Sequence, residues 1–396
     1  MAGIAFLLVA VLCIVLLFTI MPPADPTNPT DTTGGDSEME STGSTTQSET
    51  SSQPIDPATL NLDLSKDVHF FGRTYVEDGI HYFNWSASGF SVRFKGSGVM
   101  AVLYSNDVAI NHKAYIKIYI DGVEQKDVML TKTEQMVTLA EGLDPNVEHT
   151  VHVLKRTASD SSRAGVGQIR LKDGQILPPE EDKELLFEFI GDSLMVGYAA
   201  AYDATKQSGW STTTEDVTGT YCKQIADAFD ADFNVIGTSG KGIVRNNGGD
   251  TYALMPEIYK HLDFFNQKGV LYDFQRQADV IVINLGTNDE SAANKNLSPD
   301  IFKTGLRQFL KDVRAKNPNA YIVYAYGLTR SALMDEIEDV INELRGSGDN
   351  RICLVKLQEC SATERHLNHS KRAAYVSRGE AIIDKIEEIT GWKATN

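Results

Sequence analysis

Two periodicities of apolar residues divide this chain. Between about residues 62 and 177, apolar positions alternate with polar ones, the period of a half-buried strand. In "FSVRF" Phe90, Val92 and Phe94 share one face, and in "YIKIYI" Ile116, Ile118 and Ile120 oppose Tyr115, Lys117 and Tyr119. "MVTLA" and "HTVHVLK" continue the alternation, while Asp78-Gly79, Asp121-Gly122 and Asp173-Gly174 supply turns. No helical period interrupts them. The pattern predicts an all-β domain over 62–177, a two-sheet sandwich of the jelly-roll type.

The grammar changes after "ILPPEEDKE" (Ile176 to Glu184), whose paired prolines and acid run read as a short, stiff link. From 185 to 396, apolar strands alternate with helical stripes. "LLFEFIG", "FNVIGTSG" and "DVIVINLGTND" read as strands, the last of them apolar enough to be buried on both faces of a parallel sheet. "TYCKQIADAFDA" has helical spacing, and "PDIFKTGLRQFLKDVRAK" repeats Ile301, Phe302, Leu306, Phe309, Leu310 and Val313 along one stripe. "YIVYAY", a helix near Leu333 to Leu344, "RICLVKL" and a final helix complete an α/β order with a parallel sheet. The strands ending at Gly191, Gly237 and Gly286 each run into a small-residue loop, all at one edge of that sheet.

The remaining N-terminal stretch has neither period. Gly3 to Met21 carries no charge and, at about 1.5 Å per residue, is just long enough to cross a hydrocarbon core of roughly 30 Å. Residues 1–21 are therefore expected to be a signal peptide or, since no basic n-region or small-x-small site flanks them, a membrane anchor. Residues 22–57 are Ser, Thr, Pro and acid, a composition too polar to offset ordering entropy, and are expected to be a disordered spacer. Localisation follows as extracellular, tethered or secreted, with membrane contact only through this segment. Charge narrows the partners: 37 basic against 54 acidic residues gives −17, which excludes a basic nucleic-acid footprint. Cysteine adds little. Beyond Cys13 there are Cys222, Cys353 and Cys360, an odd set that reads as small buried hydrophobes, with a Cys353–Cys360 pairing left open.

The glycine-ended strands carry the candidate chemistry. Ser193 follows Gly191-Asp192 at the end of a strand, where open α/β sheets place their ligands, although Gly-Asp-Ser alone is equally a turn tripeptide. Acyl transfer through a serine needs a base and oxyanion donors. Gly240, in "TSGKG", allows a close backbone N–H, and Asn288, in "GTND", offers a side-chain amide that does not titrate, unless it merely caps the next helix. Beyond His261 the only histidines are His366 and His369, in "ERHLNHSKRAAY", so the base belongs to that pair. Their His-x-x-His spacing has no third ligand in view, which argues against metal. Asp192 reads as a loop brace, and Trp85 and Trp210 read as packing unless they stack on a sugar.

Gly191-Asp192-Ser193, Gly240, Gly286-Thr287-Asn288-Asp289 and a late histidine, in that order, resemble the SGNH (GDSL-type) hydrolases. "FGRTYVEDGIHYFNWSASGFSVRF", "HTVHVLKRT", "ILPPEE" and "VINLGTND" are similar to the carbohydrate esterase family 2 deacetylases, over roughly Val68 to Trp392. The resemblance implies a jelly roll joined to a flavodoxin-like, three-layer SGNH domain that removes acetyl groups from xylan- or glucomannan-type carbohydrate without metal or cofactor. It implies Ser193 as nucleophile, the Ser193 and Gly240 backbone N–H groups with the Asn288 side chain as oxyanion hole, and His369 as base, His366 being the alternative. The chain departs from the family at that histidine. On the His369 alignment the family's aspartate position holds His366 or Leu367, so a Ser-His dyad held by a backbone carbonyl is expected. A decayed esterase that still binds carbohydrate, or an SGNH lipase or thioesterase, are the competing readings. Sequence sets no oligomeric state.

Overall fold

The computed structural model describes residues 59–264 and 270–395. The apolar run and spacer expected over 1–57 lie outside the described residues. Among the described residues, no helix is long and apolar enough to cross a membrane.

The first domain is a sandwich of antiparallel sheets. Its longer strands are β1 (Gly89–Lys95), β2 (Gly98–Tyr104), β3 (Tyr115–Ile120), β4 (Glu134–Glu141), β5 (His149–Lys155) and β6 (Gly165–Lys172). One sheet sets β6 between β2 and Ile80–Tyr82, with β4 outside β2; the other sets β5 between β1 and β3. The alternation read from sequence is the reason: Phe90, Val92, Phe94, Ile116, Ile118, Val151 and Val153 are buried between the sheets with Val99, Ala101, Leu103, Ile169 and Leu171. Gly89 lies so close to β5 that a Cβ there would sit 1.9 Å from the Val153 carbonyl oxygen.

The second domain holds a five-stranded, all-parallel sheet built from β7 (Leu186–Gly191), β8 (Asp232–Gly237), β9 (Val280–Asn284), β10 (Tyr321–Tyr326) and β11 (Ile352–Lys356). Their order is β8-β7-β9-β10-β11. Helices α1 (Tyr221–Ala228) and α4 (Arg372–Thr390) cover one face; α2 (Pro299–Lys316) and α3 (Met334–Gly346) cover the other. Each strand feeds both cores: Phe187 and Phe189 of β7 point to one, Leu186 and Ile190 to the other. Because the order reverses at β7, the loops after β7 and β9 diverge to opposite sides of the sheet, and the crevice this opens is where such sheets bind ligands.

The two domains share core. Ala87, Leu154 and Ala158 of the sandwich pack in the α1/α4 core, and Trp85, 1% exposed, packs in the α2/α3 core with its indole N–H donating to Leu262 O at 2.8 Å. Trp85 is packing, not a sugar platform. Arg73 enters the second domain and donates from Nη2 to Glu188 Oε2 on β7 at 3.0 Å and from Nη1 to Tyr259 O at 2.6 Å. Its guanidinium lies 4.1 Å from the Tyr272 ring centroid and 5.0 Å from those of Tyr259 and Phe274.

Candidate active site

Ser193 lies two residues past the end of β7, on a turn and not on a helix, with Tyr198 N–H donating back to Ser193 O at 3.1 Å. Gly191 gives the turn its room: a Cβ there would stand 2.6 Å from the Met195 Cβ. The serine is 5% exposed, and Asp192 before it is fully buried. Asp192 Oδ1 accepts from Leu194 N–H at 3.0 Å and Oδ2 from Asn288 Nδ2 at 2.9 Å, so it braces the loop. Burial raises its carboxyl to about 7.

His369 comes to this serine from the far end of the chain. A short hairpin, β12 (Arg365–His366) and β13 (His369–Ser370), turns through Leu367 and Asn368, both in the left-handed region at φ 47° and 62°. Two positive φ values make it the two-residue turn that suits strand twist. His369 Nε2 lies 2.7 Å from Ser193 Oγ, and Nδ1 lies 2.8 Å from Leu367 O. An Nδ1–H donating to that carbonyl leaves Nε2 as the acceptor for the serine hydroxyl. Burial first, and His366 in a smaller way, hold the imidazole well below its usual range, at about 4, against an upward pull from the Leu367 carbonyl. His366 makes no contact with Ser193; its ring stacks on Tyr202 with centroids 3.4 Å apart.

The oxyanion candidates lie at the same sheet edge. Asn288, in the loop after β9, is 6% exposed, and its Nδ2 donates both to Asp192 Oδ2 and, at 2.8 Å, to Lys241 O. One amide therefore ties the serine loop to the glycine loop after β8. Both of its N–H groups are engaged within the protein, a feature that sequence did not reveal. Gly240 adopts φ 77°, which favours glycine. Among the described residues, neither the Ser193 nor the Gly240 backbone N–H donates to a protein acceptor.

Residues that sequence reasoning passed over complete the surroundings. Asp289 accepts the N–H groups of Ile243, Val244 and Arg245 at 2.9, 2.8 and 2.9 Å, pinning the glycine loop; the acid of "GTND" was the available signal. Ser159 Oγ donates to Gly237 O at 3.1 Å, so the sandwich domain reaches the rim of the site. Tyr198 stacks on His369, with centroids 4.0 Å apart. No sequence pattern announces a ring contact between residues so far apart. Cys222, Cys353 and Cys360 are buried free thiols. Among the described residues, no group of three or more His, Cys, Asp or Glu side chains converges as a metal site. A cavity of about 440 Å³ opens at the opposite, amino-terminal edge of the sheet, between His69, Phe71 and His152 and Asp232 and Arg276; it contains none of these groups.

Comparison with known proteins bears on the two-domain fold that carries this arrangement. Residues 70–179 match the model "Carbohydrate esterase 2 N-terminal", and 189–354 match the GDSL-like Lipase/Acylhydrolase family. The chain has the two-domain architecture of the family 2 carbohydrate esterases. The second match stops at residue 354, before the hairpin that carries His369. It is 24% identical over 316 residues to the cellulase/esterase CelE of Acetivibrio thermocellus, covering 78% of this chain and 38% of that protein. It is 27% identical over 308 residues to the acetylxylan esterase / glucomannan deacetylase of Cellvibrio japonicus, covering 72% and 81%. Among solved structures, a family two carbohydrate esterase from Clostridium thermocellum in complex with cellohexaose superposes with a TM-score of 0.76 at 24% identity, over 82% of this chain and 99% of that one. An acetyl xylan esterase from the rumen bacterium Butyrivibrio proteoclasticus gives 0.74 at 21%, over 84% and 98%. The likeness to these structures is one of fold.

Proposed function

We propose that this family 2 chain is a serine esterase that removes acetyl groups from carbohydrate through an acyl-enzyme. The single observation that carries the proposal is the 2.7 Å approach of His369 Nε2 to Ser193 Oγ, with Nδ1 moored on Leu367 O. Nε2 takes the hydroxyl proton as Oγ attacks the acetyl carbonyl, then returns it to the departing sugar oxygen. A water, deprotonated by the same nitrogen, next releases acetate and frees Ser193. The Ser193 and Gly240 N–H groups meet the oxyanion, and Asn288 joins them by turning one N–H away from Lys241 O. Among the described residues no carboxylate holds the ring, so the base works as half of a dyad, and no step calls for a metal.

The named activities of the Cellvibrio and Butyrivibrio proteins make acetylated xylan or glucomannan the preferred substrates to try. Such polymers are met outside the cell, which agrees with the secreted or tethered location expected from the N-terminal sequence. The test is acetate release from 4-nitrophenyl acetate and from acetylated xylan by a fragment starting at Thr59, beside Ser193→Ala, His369→Ala and His366→Ala. Activity abolished in the first two and kept in the third is expected. A folded parent no faster than Ser193→Ala would sink the esterase reading and favour a protein that only binds carbohydrate.

A further inference from the structure

On the esterase reading, the base has to be held against Ser193 through the whole reaction. Among the described residues, Leu367 O is the only polar mooring of the imidazole besides the serine, and it belongs to a turn whose Leu367 is 49% exposed. The ring has a second contact, through its face. Tyr198 stacks on it, with centroids 4.0 Å apart and planes 24° apart. Tyr198 stacks in turn on Trp210, at 5.4 Å and 16°, and His112 of the sandwich domain packs edge-on against Trp210 at 5.1 Å.

The far end of this stack is fixed by a buried acid for which the proposed chemistry has no use. Trp210 Nε1–H donates to Glu215 Oε1 at 3.3 Å, and Glu215 Oε2 accepts the Ala158 N–H of the sandwich domain at 2.9 Å. Glu215 is fully buried. The segment between them is clamped by Arg156, whose Nη2 donates to Thr212 O and Thr213 O at 2.8 and 3.2 Å. A side chain with two ring torsions, seated on a second ring that is itself tied at its N–H, is a rigid backing for an imidazole on a surface hairpin.

We propose that Tyr198, Trp210 and Glu215 form a stacked brace that positions His369 against Ser193, in the place where a triad enzyme uses a carboxylate. These are positioning residues. The brace also explains a use for the sandwich domain, which contributes His112, Arg156 and Ala158 to its far end. The titratable groups around the ring are His366 across the hairpin and Tyr198, with Glu215 and Asp160 acting on Tyr198 from behind.

The experiment uses 4-nitrophenyl acetate, which carries no sugar, so an aromatic platform for carbohydrate has nothing to bind. Tyr198→Leu is expected to lower kcat by about tenfold to a hundredfold, the scale of an ångström-sized misplacement, with little change in KM. It should also raise the acid limb of the pH profile as water reaches the imidazole. Tyr198→Phe, which keeps the ring, restores both, and Trp210→Leu gives a smaller effect of the same sign. In 15N spectra of the histidines, the parent shows the one His369 tautomer that Leu367 O selects, and Trp210→Phe, the mildest cut in the brace, lets the ring leave that carbonyl and shows a mixture. Unchanged kcat and pH limb in Tyr198→Leu and Trp210→Leu, with a raised KM confined to acetylated oligosaccharides, would overturn the brace in favour of a sugar platform. A single, unaltered tautomer in Trp210→Phe counts against it even where a leucine variant fails to fold. Failure of the esterase reading is told apart by Ser193→Ala, which then matches the parent.

Discussion

The pH dependence of turnover is the sharpest consequence of the site. On the proposed mechanism His369 must be neutral to take the serine proton, and burial disfavours its charged form, bringing it down to about 4 from the ordinary 6.5. The sign follows directly: the base is active above its pKa and lost below it. At pH 5 an ordinary histidine is only about 3% neutral, whereas one with a pKa of about 4 is roughly 90% neutral, a difference of about thirtyfold. The assay is kcat/KM for an acetate ester between pH 3.5 and 8, with acetate measured directly so that product ionisation does not matter. The expected profile is flat from pH 7 to about 5 and falls by one proton near 4. Asp192 and Glu215, which burial raises to about 7, titrate within this range and add at most a shallow step. An acid limb at pH 6 or above that persists in Asp192→Asn and Glu215→Gln refutes the reasoning, because the imidazole would then be behaving as if exposed.

Four further outcomes test the scaffold. Arg73→Met leaves Glu188 buried without its partner and should cost about 3–5 kcal/mol in urea unfolding, whereas Arg73→Met with Glu188→Met should recover most of it, since apolar replacement of a whole buried pair is close to neutral; equal losses in the single and double variants would contradict this. Leu367→Gly should keep kcat, because Nδ1 is held by a backbone carbonyl and glycine suits φ 47°, while Leu367→Pro, locked near −65°, should abolish activity on the same ester assay. Asp289→Ala strands three backbone N–H groups of the glycine loop and should lower kcat by more than tenfold with the fold intact by circular dichroism. In a thiol-labelling assay Cys222, Cys353 and Cys360 should react only after unfolding: burial pushes Cys222 up to about 12 and Cys353 to about 11.

How much of this was legible in the sequence depends on how local the cause is. The parallel strands announced themselves because burial on both faces demands unbroken apolar runs, and the loops at Gly191, Gly237 and Gly286 then fell on one edge by topology alone. The glutamate inside "LLFEFIG" was a visible anomaly, a charge in a buried strand, but its partner Arg73 lies 115 residues away and carries no local mark. The hairpin that presents His369 was hidden for another reason. Its turn is Leu-Asn, not the Asn-Gly or Asp-Gly that advertises two positive φ values, so tertiary contacts enforce a conformation the dipeptide does not prefer. Ring-on-ring contacts such as Tyr198 on His369 are set by the fold and leave no periodicity to read.

In the proposed dyad, the lack of a carboxylate on the imidazole among the described residues bears on rate more than on ground-state geometry. In a triad the acid fixes the tautomer and also stabilises the imidazolium that forms in the transition state; losing it costs about 10⁴ in kcat. In the proposed dyad Leu367 O supplies the first service, since it accepts only from a protonated Nδ1. The second falls to the Tyr198 ring, whose face is the negative side of its quadrupole and lies against the imidazole as charge develops, worth about 0.5–2 kcal/mol. That is less than a carboxylate provides, so kcat should respond to a new acid placed near the ring. His366 is the cross-strand partner of His369, with its side chain on the same face of the hairpin. His366→Asp should therefore favour the imidazolium, moving the acid limb up from about 4 and raising the plateau rate above it. An upward limb with no gain in plateau would mean that the brace already compensates the charge; an unmoved limb would mean that position 366 does not reach the ring's field at all.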